Sequence, residues 1–385
     1  MKRFNLLSLL FVFFLSLLGG CGSQERTISP SGRVVKVGVI GPMNGTKAAL
    51  GEDGIKGMKT ALKMQPLLSN GDAIKLVVAD DHNDPRVAVQ QFKRLVTQEK
   101  VTAVLLLSTS PPALAINPLA DKYRVPVIAI LATHPDVAKG TRFVSQLCFD
   151  NVFQGKVAAL FTRDELLDGT AAVFQDAGNA YSTSLAREFI KEFQSIDGTI
   201  TNLVNITNST DLQDVMEEIE AHEPDILYMP IDVNEVISII KIAQDMDWNP
   251  QYMSADGLIA EVLYSKDKDD LMRLLDGLMV IDFYSSTIAP TRFGRKARRA
   301  YRSFYNQRMT SFSALALEAV RVLQNAMNRC KNPRDRTCVN RMIRRTTNLK
   351  GVIGVISITP QGKVQRALVV NKIESGRIKG LVEVY

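Results

Sequence analysis

The chain has 385 residues, a formal net charge of +7 and a hydrophobic fraction of 46%. This length predicts two or more domains and is ample for a large core. The charged fraction of 23% is ordinary for a globular protein, and the mildly basic balance gives little support to a nucleic-acid partner.

The N-terminus has the pattern of a secretory signal, which we place at residues 1–20. Lys2 and Arg3 precede the run NLLSLLFVFFLSLL, which is short for a membrane helix of about 20 residues. The stretch LGGC that follows resembles a bacterial lipobox, which implies cleavage before Cys21 and lipidation of its sulfur. The alternative is an ordinary signal peptide with an incidental cysteine. Residues 21–33 predict a flexible tether, because the segment is polar and contains Ser, Pro and Gly.

Strand and helix patterns alternate from residue 34 onward. Buried strands are predicted at VVKVGVIG, AIKLVVADD, VTAVLLLS and VPVIAILA, and the segment PALAINPLADKY between the last two reads as a broken helix. After residue 150 the alternation restarts, with strands at GTAAVFQD, TITNLVNI, PDILYMPI and PQYMSAD. Alternating units predict parallel sheets with helices on both faces, so we expect an α/β protein with two similar lobes in tandem.

The last hundred residues follow another pattern, and sequence does not say which lobe they join. They contain a strand at LMVIDFYS, a basic helix from Arg292, an apolar helix from Ser313 and strands joined by turns with glycine. The cations between Arg292 and Arg302 alternate with apolar residues at helical spacing. This favours the solvated face of an amphipathic helix, with contact to anionic lipid or to a permease as the alternative.

The predicted export would place the cysteines after Cys21 in an oxidising compartment, where disulfides form. Cys330 and Cys338 flank a polar stretch and predict a local disulfide, with two free thiols as the alternative. Cys148 is predicted to be a small buried side chain. The three histidines are scattered, so we predict no metal site and no cofactor. Dinucleotide, phosphate-loop and nucleophile-elbow motifs are lacking from the sequence, so we expect a binding protein rather than an enzyme.

Several stretches resemble one family in order along the chain. They are VKVGVIGPMNG, LVVADDHNDPRVAV, SPPALAINPLADKYRVPVIAILAT, RFVSQLCFDNVFQG, PDILYMPIDVNEVISIIKIAQDM and YMSADG. They are similar to the extracytoplasmic Leu/Ile/Val-binding proteins of ABC transporters. The resemblance implies a type I periplasmic-binding-protein fold, in which two Rossmann-like lobes with parallel sheets are joined by a three-crossing hinge and close like a Venus flytrap. It places lobe one at 34–147 plus 286–355 and lobe two at 149–284 plus 356–385.

The resemblance also implies a function. We expect a substrate-binding lipoprotein, held at the periplasmic face or the outer cell surface, that binds a small polar ligand such as an amino acid or a derivative. Its partners would be an ABC permease complex and, through the lipid at Cys21, the membrane. The alternative is a ligand sensor of the same fold that passes lobe closure to a receptor.

The ligand-binding positions of the family fall on five residues here. Ser110 lies where a hydroxyl and an amide hold the ligand carboxylate. Ala132 and Thr133 lie where backbone and hydroxyl groups contact the carboxylate and the ammonium. Asp256 lies where an acidic residue pairs with the ammonium, and Tyr181 lies where an aromatic ring covers the ligand. These residue types suit a zwitterion, which needs donors at one end and an acceptor at the other.

Other positions depart from the family pattern. Pro111 and Pro112 replace serines and remove amide donors. Asp232 replaces a common tyrosine; it either faces the cleft, where it favours a polar or cationic ligand, or caps the next helix. The resemblance places a disulfide of lobe one at Asn83 and Thr109, where it cannot form in this chain.

Overall fold

The computed structural model describes residues 30–207, 209–288 and 291–384. The predicted signal at 1–20, Cys21 and most of the predicted tether lie outside the described residues. Within the described ranges, every helix is too short or too polar to cross a membrane.

The first sheet has five parallel strands in the order β2-β1-β3-β4-β5. The strands are β1 (Val34–Gly41), β2 (Ala73–Asp80), β3 (Ala103–Leu106), β4 (Val127–Ala129) and β5 (Val144–Gln146). Three helices connect them: α1 (Ala48–Met64), α2 (Pro85–Thr97) and α3 (Ser110–Tyr123). The central strands are apolar throughout, as expected for strands covered on both faces.

The second sheet has seven strands in the order β15-β14-β10-β9-β8-β6-β7. Its parallel part consists of β6 (Thr170–Asp176), β7 (Thr199–Ile206), β8 (Ile226–Met229), β9 (Gln251–Ser254) and β10 (Met279–Asp282). The helices beside it are α4 (Asn151–Leu160), α5 (Ala180–Ser195), α6 (Leu212–Glu220), α7 (Val233–Asp245), α8 (Leu258–Tyr264) and α9 (Lys268–Leu274), with a π-helical turn at Phe161–Glu165 after α4.

The remaining chain contributes to both halves. Helices α10 (Arg292–Tyr305), α11 (Ser311–Asn328) and α12 (Arg336–Ile343) precede a small antiparallel sheet of β11 (Leu349–Lys350), β12 (Val355–Ile358) and β13 (Val364–Gln365). Strands β14 (Leu368–Glu374) and β15 (Arg377–Val384) complete the second sheet in antiparallel pairing. The structure confirms the α/β class with two lobes, which we name lobe one and lobe two after the first and second sheets. The residue limits of the lobes stay a prediction.

Helices α10 and α11 return the chain to lobe one by packing on α1. The buried carboxylate of Asp53 in α1 accepts hydrogen bonds from the hydroxyls of Tyr301 and Thr310 and from the Ser313 amide. At Gly57 the helices are so close that a Cβ atom would lie 2.1 Å from the Ser313 carbonyl oxygen. A glycine at this position therefore permits the contact between α1 and α11.

Helix α3 differs from its prediction as a broken helix. It runs without interruption from Ser110 to Tyr123 with Pro118 inside it. Proline removes one backbone hydrogen bond, but Ala113, Ile116 and Ala120 of the same helix are fully buried. Packing of this face outweighs the lost bond, so the helix continues.

Candidate functional site

A cavity of about 150 Å³ lies between the two lobes. Its walls come from the segments that follow β1, β2, β3 and β4 in lobe one and β6, β8 and β9 in lobe two. The parallel strands of each sheet end at one edge, and the two carboxyl-terminal edges face each other across the cavity. This is the place where open α/β sheets bind ligands.

Ser110 supplies hydrogen-bond donors on the lobe-one side of the cavity. It is the first residue of α3, and its hydroxyl oxygen accepts the amide of His134 at 3.1 Å. Ser110 also lines the cavity, where its hydroxyl can donate a hydrogen bond to a ligand. Because Pro111 and Pro112 carry no amide proton, the first turn of α3 offers fewer donors than an ordinary helix start.

The loop before Ser110 is held by hydrogen bonds. The Asn83 side-chain oxygen accepts the amide of Thr109 at 3.1 Å and its hydroxyl at 2.9 Å. These are the two positions at which the family resemblance implies a disulfide. Here a pair of hydrogen bonds joins the same two loops, and both residues line the cavity.

Ala132 and Thr133 lie behind this wall. Both are fully buried, and among the described residues neither lines the cavity. The Ala132 carbonyl accepts the Gln146 side-chain amide at 2.7 Å and lies 3.1 Å from Cys148 Sγ. The structure therefore brings Ser110, Tyr181, Asp232 and Asp256 together at the cavity, with Leu131 in place of Ala132 and Thr133.

Asp256 and Tyr181 form the acidic end of the cavity, in lobe two. The Tyr181 hydroxyl lies 3.1 Å from Asp256 Oδ1 and 3.1 Å from the Asp256 carbonyl oxygen. Desolvation raises the pKa of Asp256 to about 7, although the hydrogen bond from Tyr181 opposes the rise. The following residue, Gly257, immediately precedes α8 and has a φ of +93°, a conformation that favours glycine. A cation placed beside this carboxyl group would favour its ionised form and lower its pKa.

Asp232 both lines the cavity and caps α7. Its Oδ1 accepts the Asn234 amide at 3.3 Å and caps α7. Its Oδ2 lies 2.6 Å from Nζ of Lys47, which reaches across from lobe one. Desolvation alone would raise the pKa of Asp232, but the charge and hydrogen bond of Lys47, together with the hydrogen bonds from Asn234, outweigh it and lower the pKa.

Lys47 and Glu261 are the cavity residues that sequence reasoning missed. Lys47 Nζ lies 3.0 Å from Glu261 Oε1, so it contacts two carboxylates of lobe two. Burial by itself lowers the pKa of Lys47, but Glu261 and Asp232 reverse this and raise it. Lys47 lies in the segment after β1, where the rule on strand ends could have singled it out. Glu261 lies within α8, and no sequence signal marks it.

The cavity is acidic with apolar walls. Four carboxylates and one ammonium group are among the described residues that line it: Asp176, Asp232, Asp256, Glu261 and Lys47. The apolar part of the lining includes Leu50, Leu131, Ile231, Leu258 and Phe312. Since a cavity of about 150 Å³ holds a molecule of benzene size, these walls suit a small ligand with a compact apolar part.

The cysteines lie away from this cavity. Cys330 and Cys338 form a disulfide with a Cα–Cα distance of 6.0 Å, and Cys148 is a buried free thiol. Within the described part of the chain, no cluster of three His, Cys, Asp or Glu side chains is arranged to hold a metal ion.

Comparison with known proteins identifies the family. The model of the periplasmic binding protein family matches residues 34–377. An amino acid binding protein of Pseudomonas aeruginosa is 26% identical over 60% of this chain and 62% of its own length. The Leu/Ile/Val-binding protein BraC3 of Rhizobium johnstonii is 24% identical over 89% of this chain and 93% of its own.

A solved structure shows the same architecture. The leucine binding protein LivK of Thermotoga maritima superposes with a TM-score of 0.83, covers 91% of this chain and 98% of its own, and is 26% identical. The family comprises solute-binding proteins, not enzymes, and implies an extracytoplasmic location. These matches confirm the resemblance inferred from the sequence: the chain belongs to the periplasmic binding protein family and has the type I fold of its branched-chain amino-acid-binding branch.

Proposed function

We propose that this protein is the lipid-anchored solute-binding component of an ABC transporter and that it binds an α-amino acid between its lobes. One observation carries the proposal: the hydroxyl of Ser110 and the Tyr181–Asp256 pair lie on opposite walls of one small cavity. A zwitterion needs donors for its carboxylate and an acceptor for its ammonium, and these walls offer both.

The ligand would be oriented by charge. Its carboxylate would accept from the hydroxyl and amide of Ser110, and its ammonium would pair with Asp256 beside Tyr181. The raised pKa of Asp256 supports this orientation, because a carboxyl group that is partly removed from water gains from a cationic partner. A dissociation constant of 1 μM requires about 8 kcal/mol, which a few charge-assisted hydrogen bonds and a buried apolar side chain supply.

Binding would be coupled to closure of the lobes. The lobes touch in the structure through Lys47 with Asp232 and Glu261, and through Lys56 with Tyr264. A ligand between Ser110 and Asp256 contacts both lobes only in this closed arrangement, so it favours the closed state over an open one. The closed surface would then be presented to a permease, and the lipid at Cys21 would hold the protein near the membrane.

A binding panel on ligand-free protein tests the proposal. The chain from residue 22 onward is unfolded in guanidinium, refolded and titrated by calorimetry with amino acids, their des-amino carboxylic acids and their carboxamides. At 100 times the dissociation constant, a ligand adds about 2.7 kcal/mol to the free energy of unfolding, which thermal unfolding detects independently. We expect amino acids to bind and both truncated series to fail. Equal binding of the des-amino acids would refute the assigned role of Asp256, and a folded protein that binds no amino acid would refute the proposed function.

A further inference from the structure

The cavity contains a cation-binding subsite that the protein itself fills. Asp232 Oδ2 lies 2.6 Å and Glu261 Oε1 lies 3.0 Å from Nζ of Lys47. The second oxygen of Glu261 is also within reach, at 3.2 Å. The acids belong to lobe two and the lysine to lobe one, so the subsite is complete only when the lobes are closed.

The acidic half of this subsite is built without Lys47. Asp232 is held by its capping bond to the amide of Asn234, which uses Oδ1 and leaves Oδ2 for the cavity. Glu261 lies in the first turn of α8, and its side chain is only 17% exposed. Two carboxylates around one ammonium leave one negative charge in excess. Without Lys47 both carboxylates would lack a counter-ion, so the pair would attract another cation.

We infer that Lys47 determines the specificity of the cavity, because its ammonium occupies the place that a cationic ligand side chain would take. This inference rests on the proposed function. The ammonium of Lys47 would repel a positively charged ligand side chain. The excess negative charge of Asp232 and Glu261 would repel a negatively charged one. Lys47 therefore restricts the ligand to amino acids with a neutral side chain.

The inference predicts a change of specificity when Lys47 is shortened. In the variant Lys47→Ala, the two carboxylates lose their counter-ion and the cavity gains the volume of the lysine side chain. A ligand ammonium at the end of a short alkyl chain would restore the lost charge pairing. Ornithine and norleucine are the matched probes, since they have side chains of equal length that end in an ammonium and in a methyl group.

Calorimetry on the refolded wild-type protein and its variants tests this. We expect the wild-type protein to bind norleucine at least tenfold more tightly than ornithine, and Lys47→Ala to reverse that order. The double variant Lys47→Ala/Glu261→Gln should lose most of the gain for ornithine, because one carboxylate is neutral. Lys56→Ala is the control: this lysine also reaches lobe two, but it contacts the uncharged Tyr264 and does not line the cavity among the described residues.

The outcomes separate a failure of the inference from a failure of the proposed function. A wild-type protein that binds ornithine and norleucine equally overturns the inference, even where the Lys47→Ala variant fails to fold. A folded Lys47→Ala variant that still prefers norleucine tenfold also overturns it. If the folded wild-type protein binds no amino acid of either kind, the proposed function fails first; if it binds norleucine and the variant keeps that preference, the inference alone fails.

Discussion

Replacing Asp256 by asparagine should make the protein more stable and less able to bind its ligand. Asparagine keeps the shape of the side chain and an acceptor for the Tyr181 hydroxyl, and it removes the charge. We therefore expect Asp256→Asn to unfold at higher denaturant concentration than the wild-type protein at pH 8, while its affinity for an amino acid falls about a hundredfold.

The stability effect follows from the pKa of this carboxyl group. The pKa is raised from 3.8 to about 7, so between these pH values the folded protein holds a proton that the unfolded chain has released. The free energy of unfolding therefore falls as pH rises from about 4 to about 7, and the loss is complete above that range. For a fully buried group, a rise of the pKa from 3.8 to about 7 corresponds to a change of about 4 kcal/mol in the free energy of unfolding. Since Asp256 lies on a cavity wall and is only partly buried, water reduces this, and we expect about 2 kcal/mol.

Urea unfolding at pH 4 and pH 8 measures the difference between the two proteins. The variant should match the wild-type protein at pH 4 and exceed it at pH 8. Asp282→Asn is the matched control: Asp282 is 1% exposed, desolvation and, after it, the negative charge of Asp256 raise its pKa to about 8, and among the described residues it does not line the cavity. It should stabilise the protein in alkaline solution without loss of affinity. A variant of Asp256 that is equally stable at both pH values, or that binds normally, would refute the reasoning.

Three further predictions concern other parts of the molecule. Ser110→Ala should weaken amino-acid binding by about tenfold to a hundredfold, because a donor to the ligand carboxylate is lost; calorimetry that shows unchanged affinity would remove Ser110 from the site. Gly57→Ala should lower the free energy of unfolding by about 1 to 3 kcal/mol in urea titrations, because its Cβ would lie 2.1 Å from the Ser313 oxygen. The exposed Lys59→Ala on the same helix should have little effect, and equal values for the two would argue against this contact. Cys21→Ala should abolish incorporation of labelled palmitate in growing cells, whereas label retained in that variant would rule out an anchor at this cysteine.

Much of the candidate site could be predicted from the family resemblance, and the positions that it implies lie near strand ends. Ser110, Tyr181, Asp232 and Asp256 each follow or lie close to the carboxyl end of a predicted strand, and the structure brings all four to one cavity. The same reasoning does not distinguish a residue at the edge of a cavity from one behind it. Thr133 follows its strand in the same way, yet it is fully buried.

Local sequence patterns do not predict the contacts between the two lobes. Lys47 and Glu261 are 214 residues apart in the chain, and neither lies in a motif that marks a partner. Asp232 is an example: the residues that follow it predict its capping role, whereas its contact with Lys47 depends on how the two lobes pack together. The uninterrupted helix α3 has a similar cause, since tertiary packing overrides the local effect of Pro118.

The most direct test of amino-acid binding between Ser110 and Asp256 is the number of protons released when the ligand binds. Calorimetric titrations of the refolded protein at pH 6, in two buffers of different ionisation enthalpy, measure this number. With the pKa of Asp256 at about 7, most of the carboxyl groups are protonated at pH 6, and pairing with a ligand ammonium should release close to one proton. The release should be small at pH 8, where most of the Asp256 carboxyl groups are already ionised and the ligand ammonium is still protonated, and it should be absent in Asp256→Asn. Tight binding of an amino acid at pH 6 without proton release would contradict the pairing of its ammonium with Asp256.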